Sequence, residues 1–562
     1  MAGKWDALKN QPTFNTSTMF LLSDGRVMVQ EEATAHWHAL TPDDTGSYIN
    51  GTWSDLADMA FWRRYYASGM LKDGRIIIVG GEQDGDTIQD TNKGEIYDPD
   101  ADSWTSIPTP PGWSQVGDAS SCILPDGRLI IGALLDGKCT IYNPASNSWT
   151  NAASKTGRAN EETWILEPDG TVITVQCWSP FQSEKYIISS DTWQNEGSPA
   201  VTLVDPVMNE IGPAMLCYND KTIFFGAANI KGIGKTALYT RASMPTAKGT
   251  WAAGPNIPKI NGMTMVCNDC PASLMPNGKV LVTAANFLNN DWGNPIHFFE
   301  YDPVANTMVQ VSDPPNNAAQ LYWSRMLLLP TGQVMFSPSS NDVQIYTPDG
   351  GPQEAWRPTI NSITAHSGGL FQPADYYLLQ GTQLNGLSQA NTYGDDCQPA
   401  TNYPLVRLRN TSANKIYFAR TYAFSTMAVA TGSSIQSCRF EASGVPYGNY
   451  ELVVIANGIS SHEMFFSHDP PNKPFFVDHG LKHVFEHYGK LIYEGDPFNW
   501  RDWIVDPADV VRLQQQMKQL QNTVKRLNSL IAARELPRVG EKVAKEASRA
   551  KDKKNKKKKT RK

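Results

Sequence analysis

The 562-residue sequence has no long hydrophobic run and few cysteines. No stretch of 18 apolar residues occurs, so the sequence predicts no transmembrane helix. The opening MAGKWDALKNQPTF lacks the apolar core of a signal peptide, which favours a cytoplasmic location. The eight cysteines are scattered along the chain, a spacing that does not indicate a disulfide framework. We therefore expect reduced thiols.

Charged residues make up only 19% of the sequence, whereas glycine, proline and tryptophan are frequent, with 43, 37 and 16 residues. This composition is typical of turn-rich β-proteins rather than of helical ones. The chain is also too long for one hydrophobic core. No P-loop, GxSxG, HExxH or dinucleotide-binding motif occurs in a fitting context. The sequence therefore predicts two or three folded units and offers no common catalytic motif.

A hairpin pattern recurs seven times in the first 350 residues. In each copy a tight turn, often Asp-Gly in type I′ form, joins two apolar runs. The turn residues are Asp24, Asp73, Asp126, Asp169, Asn219, Asn277 and Thr331. A second phrase, as in EIYDPDADSWT and TIYNPASNSWT, predicts two more strands and a tryptophan packed between neighbouring units. Four strands in about fifty residues are typical of kelch-type blades, so we predict a seven-bladed propeller over residues 10–352.

Comparing the hairpin registers predicts that polar and aromatic residues meet at one mouth of the propeller channel. Eight residues before the turns stand Thr16, Tyr65, Asp118, Glu161, Ile211, Asp269 and Trp323. With their neighbours they give the predicted ligand-binding set, which is Tyr65, Tyr66, Asp118, Glu161, Glu210, Asp269, Tyr322, Trp323 and Arg325. Converging carboxylates repel unless a cation or a hydrogen-bonding group lies among them. The pattern indicates a pocket for a divalent cation, an amine or a hydroxyl-rich ligand; alternatively, the carboxylates are solvated or paired with Arg63, Arg64 and Arg325.

Three segments, RRYYASGMLKDGR, YWSRMLLLPTGQV and NTYGDDCQPATNYPLVRL, carry a family resemblance. They resemble the galactose oxidase and glyoxal oxidase superfamily of kelch propellers, and in particular bacterial members that lack the copper-radical residues. The resemblance covers residues 10–470. It implies a β-domain that packs on the propeller and contributes a loop to the mouth. Here that loop would carry Arg420, Tyr422 and Phe424; a purely structural capping role is the alternative.

The resemblance also implies a copper shell, of which this sequence keeps only part. Tyr65 matches the tyrosine that is cross-linked to cysteine, and Tyr322 matches the axial tyrosine. Trp323 stands where a histidine ligand is expected, no cysteine lies in residues 15–18, and no histidine lies in residues 420–429. Copper(II) favours imidazole ligands. We therefore predict no copper and no copper-radical oxidation, while a divalent cation at the mouth stays an open alternative.

Other histidines and cysteines give weaker metal signals. His36 and His38 would share one face of a strand, since side chains alternate, but no third ligand is near in sequence. Cys267 and Cys270 form a lone CxxC without the second pair of a zinc site. His479, His483 and His487 would align on a helix. In each case a structural role or a surface position is the simpler interpretation.

The remainder of the chain divides into four predicted parts. Strand-rich residues 353–467 predict an immunoglobulin-like sandwich, and residues 468–506 form a connector. Residues 507–536 predict a coiled-coil helix for a dimer or trimer or, alternatively, an amphipathic helix docked on its own body, with the seam Val510, Leu513, Met517, Leu520, Val524, Leu527 and Ile531. Residues 537–562 are lysine-rich and predict a disordered tail, which either contacts a polyanion electrostatically or only aids solubility.

These predictions leave two main functions open. The first is an oligomeric binding or recognition protein, whose acidic and aromatic mouth takes a polyol, a glycan or a cationic ligand. The alternative is an enzyme at the same mouth, a carboxylate-based hydrolase, lyase or isomerase with Glu161 or Asp269 as base and Arg325 as electrostatic stabiliser. A divergent copper oxidase is a third, weaker interpretation.

Overall fold

The protein is described here from a computed structural model. The structure describes residues 3–82, 89–118, 120–286, 292–366, 376–393 and 399–468, together with Lys518, Asn522 and Lys525. The chain separates into two units, Met1–Lys473 and Pro474–Lys562. The first unit is all-β, with three short 3₁₀ turns at Ile188–Ser190, Leu321–Trp323 and Glu354–Trp356. No helix among the described residues is long and apolar enough to cross a membrane.

Seven four-stranded antiparallel blades follow one another along the chain, which confirms the predicted propeller. Blades 1 and 2 comprise β2 (Thr16–Leu21), β3 (Val27–Glu31), β4 (Trp37–Thr41) and β5 (Thr52–Leu56), and then β6 (Ala67–Met70), β7 (Ile76–Val79), β8 (Gly94–Asp98) and β9 (Ser103–Ile107). Blade 3 comprises β10 (Ser121–Ile123), β11 (Leu129–Gly132), β12 (Cys139–Asn143) and β13 (Ser148–Ala152). Blade 4 comprises β14 (Ile165–Leu166), β15 (Val172–Val175), β16 (Ser183–Ile187) and β17 (Thr192–Gly197).

The last three blades follow the same order. Blade 5 is β18 (Ala214–Leu216), β19 (Thr222–Asn229), β20 (Gly234–Thr240) and β21 (Thr250–Ala253); blade 6 is β22 (Ala272–Leu274), β23 (Val280–Ala285), β24 (Ile296–Asp302) and β25 (Thr307–Gln310); blade 7 is β26 (Arg325–Leu328), β27 (Val334–Ser337), β28 (Gln344–Thr347) and the amino-terminal β1 (Lys4–Ala7). β1 closes the ring by pairing with β28, and it precedes residue 10, where the propeller was predicted to start.

The hairpin turns form because aspartate and glycine each satisfy a local need. In the first turn Asp24 accepts a hydrogen bond from the backbone nitrogen of Arg26 (3.0 Å). Gly25 adopts a left-handed φ of 81°, whereas Asp24 is not left-handed. Each turn therefore needs one left-handed residue, not the two that the predicted type I′ turn requires. In blade 5 Asp220 takes the glycine position with a φ of 64°.

The tryptophans of the outer strands pack between neighbouring blades, as the second repeated phrase predicts. Trp104 lies against Tyr97 with ring centroids 5.2 Å apart and donates a hydrogen bond to the backbone oxygen of Ala57 in blade 1 (2.8 Å). Trp149 repeats this contact one blade later, donating to the backbone oxygen of Pro108 (2.6 Å). These indoles bury apolar area and satisfy their N–H groups at the same time. They link each blade to the preceding one.

A second β-domain follows the propeller and forms one curled sheet of eight strands. Its strands are β29 (Thr359–His366), β30 (Tyr376–Thr382), β32 (Leu405–Asn410), β33 (Ile416–Tyr422), β34 (Gln436–Glu441), β35 (Gly448–Ala456), β36 (Ile459–Ser460) and β37 (Met464–His468). The first half of β33 pairs with β32 and its last three residues pair with β34. The predicted sandwich is therefore a half-barrel whose two halves share one strand.

The curled domain packs on the face of the propeller that carries the hairpin turns. Tyr403 donates its hydroxyl hydrogen to the backbone oxygen of Leu21. The backbone nitrogen of Phe424 bonds to the backbone oxygen of Lys72 (2.9 Å), and that of Met427 bonds to Pro125 (2.9 Å). These contacts engage blades 1, 2 and 3 beside their turns. The opposite face, where the innermost strands begin, is the predicted mouth.

A segment of the curled domain threads the channel from the turn face to the mouth. Its short strand β31 (Asn391–Thr392) pairs with β22 and adds a fifth strand to blade 6. The Gln389 side chain accepts from the backbone nitrogen of Leu166 (2.9 Å), and Asn391 accepts from that of Leu328 (2.9 Å). Blades 4 and 7 thus donate backbone hydrogen bonds to this segment and blade 6 pairs with it, so the segment lies along the channel axis.

The predictions for the carboxyl-terminal part fall largely outside the described residues. The connector from 469 onward, the histidines His479, His483 and His487, all seven seam residues of the coiled coil and the lysine-rich tail belong there. Within the predicted coiled-coil helix the structure describes Lys518, Asn522 and Lys525, which are exposed.

Candidate functional site at the propeller mouth

Four aromatic side chains line one side of the mouth, and we call them the aromatic wall. They are Tyr65 of blade 2, Trp292 of the β23–β24 loop, and Tyr322 and Trp323 ahead of β26. The Tyr322 ring lies 4.8 Å from Trp292, 5.4 Å from Trp323 and 6.3 Å from Tyr65, measured between centroids. Trp323 is 41% exposed. The wall therefore offers an accessible aromatic surface at the channel opening.

Two guanidinium groups and one further tyrosine lie behind the aromatic wall. The Arg64 guanidinium stacks over the Tyr65 ring at 4.9 Å, and that of Arg325 stacks over Tyr393 at 4.0 Å. Arg325 also donates to the backbone oxygen of Tyr322 (2.6 Å). Tyr393 ends the threading segment and donates its hydroxyl hydrogen to the same oxygen. The floor of the mouth is thus built jointly by the propeller and the second domain.

The two wall tyrosines are neutral phenols at physiological pH. Burial raises the pKa of Tyr65 well above its ordinary value, and the nearby Arg64 and Arg325 only partly oppose this shift. Burial also raises the pKa of Tyr322, and the negative charge of Asp269 adds to the effect. Both hydroxyl groups therefore serve as hydrogen-bond donors and acceptors, not as phenolate anions.

The predicted carboxylates lie on blades 3 to 6. Asp118, Glu161 and Asp269 are partly exposed, while Glu210 is 7% exposed. Tyr65, Glu161 and Asp269 occupy the same register in alternate blades and are all left-handed, with φ of 55°, 64° and 45°. Such conformations cost about 1–3 kcal/mol and concentrate at functional sites. Among the described residues, no three His, Cys, Asp or Glu side chains lie close enough to hold a metal ion.

Two asparagines precede these left-handed acidic residues. Asn160 stands before Glu161 and is 7% exposed, and Asn268 stands before Asp269 and is fully buried. Within the described structure neither amide atom of Asn268 has a hydrogen-bond partner, and the Asn160 amide oxygen has none either. Native proteins rarely leave buried polar atoms unsatisfied, so these positions are candidates for contact with a ligand.

Some residues that the sequence predicts at the mouth lie elsewhere in the structure. Tyr66 is fully buried between blades and donates its hydroxyl hydrogen to Gln30 (2.7 Å), so the prediction that it lines the mouth is wrong. Tyr66 directly precedes β6, and its side chain packs against β3 of blade 1 instead of the channel opening. Arg63 is buried as well and forms an ion pair with Glu95. The ion pair that the structure gives Arg63 is thus with a carboxylate of β8.

For Arg420, Tyr422 and Phe424 the structure supports the structural capping role and not a place at the mouth. This segment lies on the turn face, where the backbone nitrogen of Thr421 bonds to the backbone oxygen of Ser23 (3.1 Å). Arg420 lies 3.5 Å from Asp100 there. The second domain reaches the mouth through Tyr393 instead. The quoted NTYGDD segment contains that tyrosine, but nothing local in the sequence indicates that it threads the channel.

Sequence reasoning also left Arg64 and Trp292 out of the mouth set. Arg64 could have been found, because it precedes Tyr65 in the same register that places Tyr322 before Trp323. Trp292 had no such signal, since it lies in a loop outside the repeated hairpin.

The described residues do not fit a copper-radical group. Trp323 takes the position of one imidazole, and Tyr393 is the side chain that the threading segment brings to the floor. Near Tyr65 the segment expected to supply a cysteine contains Thr16, whose hydroxyl donates to the backbone oxygen of Ser340 (2.8 Å).

The remaining histidine and cysteine candidates have ordinary partners. His36 precedes β4 and lies 2.9 Å from Asp58, while His38 stacks on Phe14 at 3.8 Å and contacts Asp55 (3.0 Å). The two imidazoles therefore have separate carboxylate partners. Cys267 and Cys270 are fully buried, and all seven cysteines in the described part of the chain are free thiols.

Comparison with known proteins agrees with the repeat structure. Residues 63–111, which contain blade 2, match the family model of the Kelch motif. Kelch-like protein terF of Aspergillus terreus is 30% identical over 105 residues, which are 18% of this chain and 20% of that protein. An F-box/kelch-repeat protein of Arabidopsis thaliana is 24% identical over 215 residues, covering 31% of this chain and 44% of its own. The chain thus spans less than half the length of either relative.

Two solved structures are similar at low identity. A fungal alcohol oxidase of the AA5 family, in complex with copper, has 14% identity and a TM-score of 0.49, covering 83% of this chain and 99% of its own. A catalytically inactive virginiamycin B lyase from Staphylococcus aureus has 10% identity and a TM-score of 0.43, covering 61% of this chain and 99% of its own. The chain therefore has a kelch motif in blade 2 and folds as a seven-bladed β-propeller.

Proposed function

We propose that this propeller is a recognition protein that binds a small hydroxyl-rich ligand, a polyol or a glycan, at its mouth. The observation that carries the proposal is the aromatic wall, whose exposed Trp323 and half-buried Tyr322 share the mouth with the carboxylates of blades 3 to 6. Sugar rings have apolar faces that pack on aromatic rings, and their hydroxyl groups need hydrogen-bonding partners. The mouth supplies both within one concave surface.

The contacts that fix the aromatic wall in place also support the proposal. Tyr322 contacts three other aromatic rings, and its backbone oxygen accepts hydrogen bonds from Arg325 and Tyr393. A wall fixed by such contacts loses little conformational entropy when a ligand binds. The mouth is therefore suited to recognise a ligand without folding around it.

A glycan and polyol array, followed by titration calorimetry of the best ligand, tests this proposal. Trp323→Ala should weaken binding at least about twofold, because an aromatic contact contributes about 0.5–1.5 kcal/mol beyond its buried area. Phe465→Ala is the matched control, since Phe465 is 55% exposed on the second domain. Its affinity should equal that of the unmodified protein. Equal loss in both variants, or no ligand on the array, would contradict the proposal.

An enzyme at the same mouth is the second candidate, favoured by the left-handed backbone at Glu161 and Asp269. Strain at two acidic residues of a mouth is compatible with a positioned general base. Incubation of the array ligand with the protein, followed by mass spectrometry, separates the two functions. Product that disappears in both Glu161→Gln and Asp269→Asn would favour the enzyme, and an unchanged ligand would favour recognition.

The proposal extends to self-association through the predicted coiled coil at 507–536. Two or three mouths on one assembly would raise the affinity for a repeating glycan, because the second binding event becomes intramolecular. The lysine-rich tail would add electrostatic contact with a polyanion. Both features rest on the sequence pattern.

A further inference from the structure

A second aromatic surface lies on the mouth side of blade 4, in the loop that joins β15 to β16. The loop lies on that side because β14 runs from the mouth to the turn face and β15 returns. The backbone nitrogen of Phe181 bonds to the backbone oxygen of Trp178 (3.0 Å), so both rings belong to one tight turn. Just ahead of them, the Cys177 thiol contacts the backbone oxygen of Glu161 (2.7 Å). The loop therefore borders the mouth, and we call Trp178, Phe181 and the nearby Arg158 the blade-4 platform.

Phe181 presents its ring to solvent from a strained backbone. The residue is 36% exposed, and its φ of 57° lies in the left-handed region. Bulky residues rarely adopt this conformation, and residues that do so concentrate at ligand-binding and active sites. Because the ring is not buried in a core, contact with a ligand explains both its exposure and its conformation.

Arg158 places hydrogen-bond donors beside these rings. Its guanidinium stacks over the Trp178 ring at 4.2 Å, and within the described structure neither a carboxylate nor a carbonyl oxygen accepts from it. The arginines of three hairpin turns differ, since Arg26, Arg75 and Arg128 each pair with the aspartate of their own turn. A guanidinium carries five N–H donors and no acceptor. The hydroxyl oxygens of a sugar are acceptors that suit it.

The blade-4 platform and the aromatic wall lie far apart around the ring. The innermost strands of blades 2 to 7 contact one another in chain order, and that of blade 7 contacts blade 1. Trp323 of the wall stands ahead of blade 7, so blades 5 and 6 separate it from blade 4 on the shorter way round. One sugar ring therefore does not contact both sets of aromatic side chains, whereas a chain of sugars does.

The shape and charge of such a chain follow from the two aromatic surfaces. Pyranose rings with equatorial substituents have apolar C–H groups on each face, which pack on the negative faces of aromatic rings. β-1,4 linkages join these rings into an extended chain, whereas α-1,4 linkages curve it, so a β-linked chain spans the mouth with the fewest units. At blade 4 a cation and a carboxylate occur together, in Arg158 and Glu161. A net charge on the sugar gains little there, which favours a neutral chain.

We propose that the ligand is an extended oligosaccharide of β-1,4-linked neutral hexoses, with one part of the chain on the aromatic wall and another in a second subsite at the blade-4 platform. This inference rests on the proposed function, since it assigns the substrate class of the same mouth and adds a subsite to it. Contacts at Phe181 and Arg158 then contribute more to the binding of long chains than of short ones.

Titration calorimetry with cellobiose and cellohexaose, which differ only in length, tests the inference. Because the second contact becomes intramolecular, the unmodified protein should bind the hexamer at least about tenfold more tightly than the dimer. Part of this ratio comes from the overlapping positions that a longer chain offers, so the variants decide. Phe181→Ala should lower the ratio at least about twofold, whereas Phe465→Ala, at a residue 55% exposed on the second domain, should leave it unchanged.

Arg158→Met is the second variant, since it keeps the length of the side chain and removes its N–H donors. It should lower the ratio as well. Thermal unfolding should first show that the variants fold. An alanine at position 181 meets the same left-handed strain as phenylalanine, so the stability of that variant should change little.

A ratio that stays the same in both Phe181→Ala and Arg158→Met would overturn the second subsite, and so would equal affinities for the two sugars. Binding of α-1,4-linked maltohexaose as tight as that of cellohexaose would overturn the extended chain. Binding of neither cellobiose nor cellohexaose would overturn the inference too. In each case a glycan found on the array and lost in Trp323→Ala would still support the proposed function, so the two failures are distinguishable.

Discussion

Glu167 is the residue whose burial makes the stability of the propeller depend on pH near neutrality. It is nearly fully buried behind the turn of blade 4, and desolvation raises its pKa to about 7. Thr222 donates to its carboxylate (2.5 Å) and Arg241 lies 4.0 Å away, which lower the pKa, while Asp169 and Asp220 raise it. Burial dominates, so the protonated form is favoured in the folded state.

The sign of the pH dependence follows from this shift. The folded pKa is above the ordinary value of 4.5, so the folded protein binds the proton more tightly than the unfolded chain. The stabilisation is complete below pH 4.5 and is lost as the pH rises through about 7. The total stabilisation from the protonated Glu167 is about 3 kcal/mol, because each unit of pKa shift corresponds to about 1.36 kcal/mol.

Glu167→Gln should remove this dependence, because the amide stays neutral. Chemical denaturation at several pH values should show that the free energy of unfolding of the unmodified protein falls more than that of the variant between pH 5 and 8. Glu463→Gln changes a half-exposed carboxylate on the second domain and serves as the control. Identical pH slopes for Glu167→Gln and the unmodified protein would disprove the prediction.

At the scale of elements, glycine substitutions in two hairpin turns separate the cost of local backbone strain from the cost of disturbed packing between the domains. Gly25 and Gly170 are both left-handed, with φ of 81° and 83°. A Cβ on Gly25 would collide with the ring of Phe418, whereas one on Gly170 would meet Pro125 at 3.6 Å. Left-handed backbone costs an L-residue about 1–2 kcal/mol. Gly170→Ala should therefore lower the free energy of unfolding by about that amount, and Gly25→Ala should lower it further by disturbing domain contact. Equal losses by chemical denaturation would contradict this reasoning.

The threading segment gives a second prediction at the scale of elements. Asn391 is fully buried and accepts from the backbone nitrogen of Leu328 in blade 7. Asn391→Ala should cost about 1–3 kcal/mol, because that nitrogen loses its partner away from water. Asn361→Ala on the exposed side of β29 is the control and should change the unfolding free energy little. Thermal and chemical unfolding of both variants measures the difference; similar values would show that threading contributes little.

These elements also show how far the sequence predicts the molecule. The blades follow from signals that are local and repeated, namely the turn aspartates and glycines and the apolar runs that flank them. The aromatic residues in register at Tyr65, Tyr322 and Trp323 follow from the same repeat. The threading segment could not be predicted, because its pairing with β22 joins residues more than a hundred positions apart. Tyr66 was misplaced because the left-handed backbone at Tyr65, just before β6, is not indicated by the repeat.

At the scale of the whole molecule, propeller and second domain form one unit that should unfold together. The ring is closed by β1 and filled along its axis by residues 389–393, so neither the blades nor the curled sheet is independent of the other. A chain ending at residue 352 would lose the threading segment. It would also expose the turn face that Tyr403 and Phe424 cover. We expect that chain to unfold at much lower temperature or to aggregate.

A chain ending at residue 468 provides the decisive comparison. It keeps every described strand, so its thermal unfolding should match that of the full chain in a single transition. Its state of association should differ, because the predicted seam lies beyond residue 468 and offers seven apolar positions for a dimer or trimer. Light scattering should therefore give a monomer for residues 1–468 and two or three copies for the full chain. A monomeric full chain would show that the seam packs within its own chain, and the gain in affinity expected from several mouths would disappear with it.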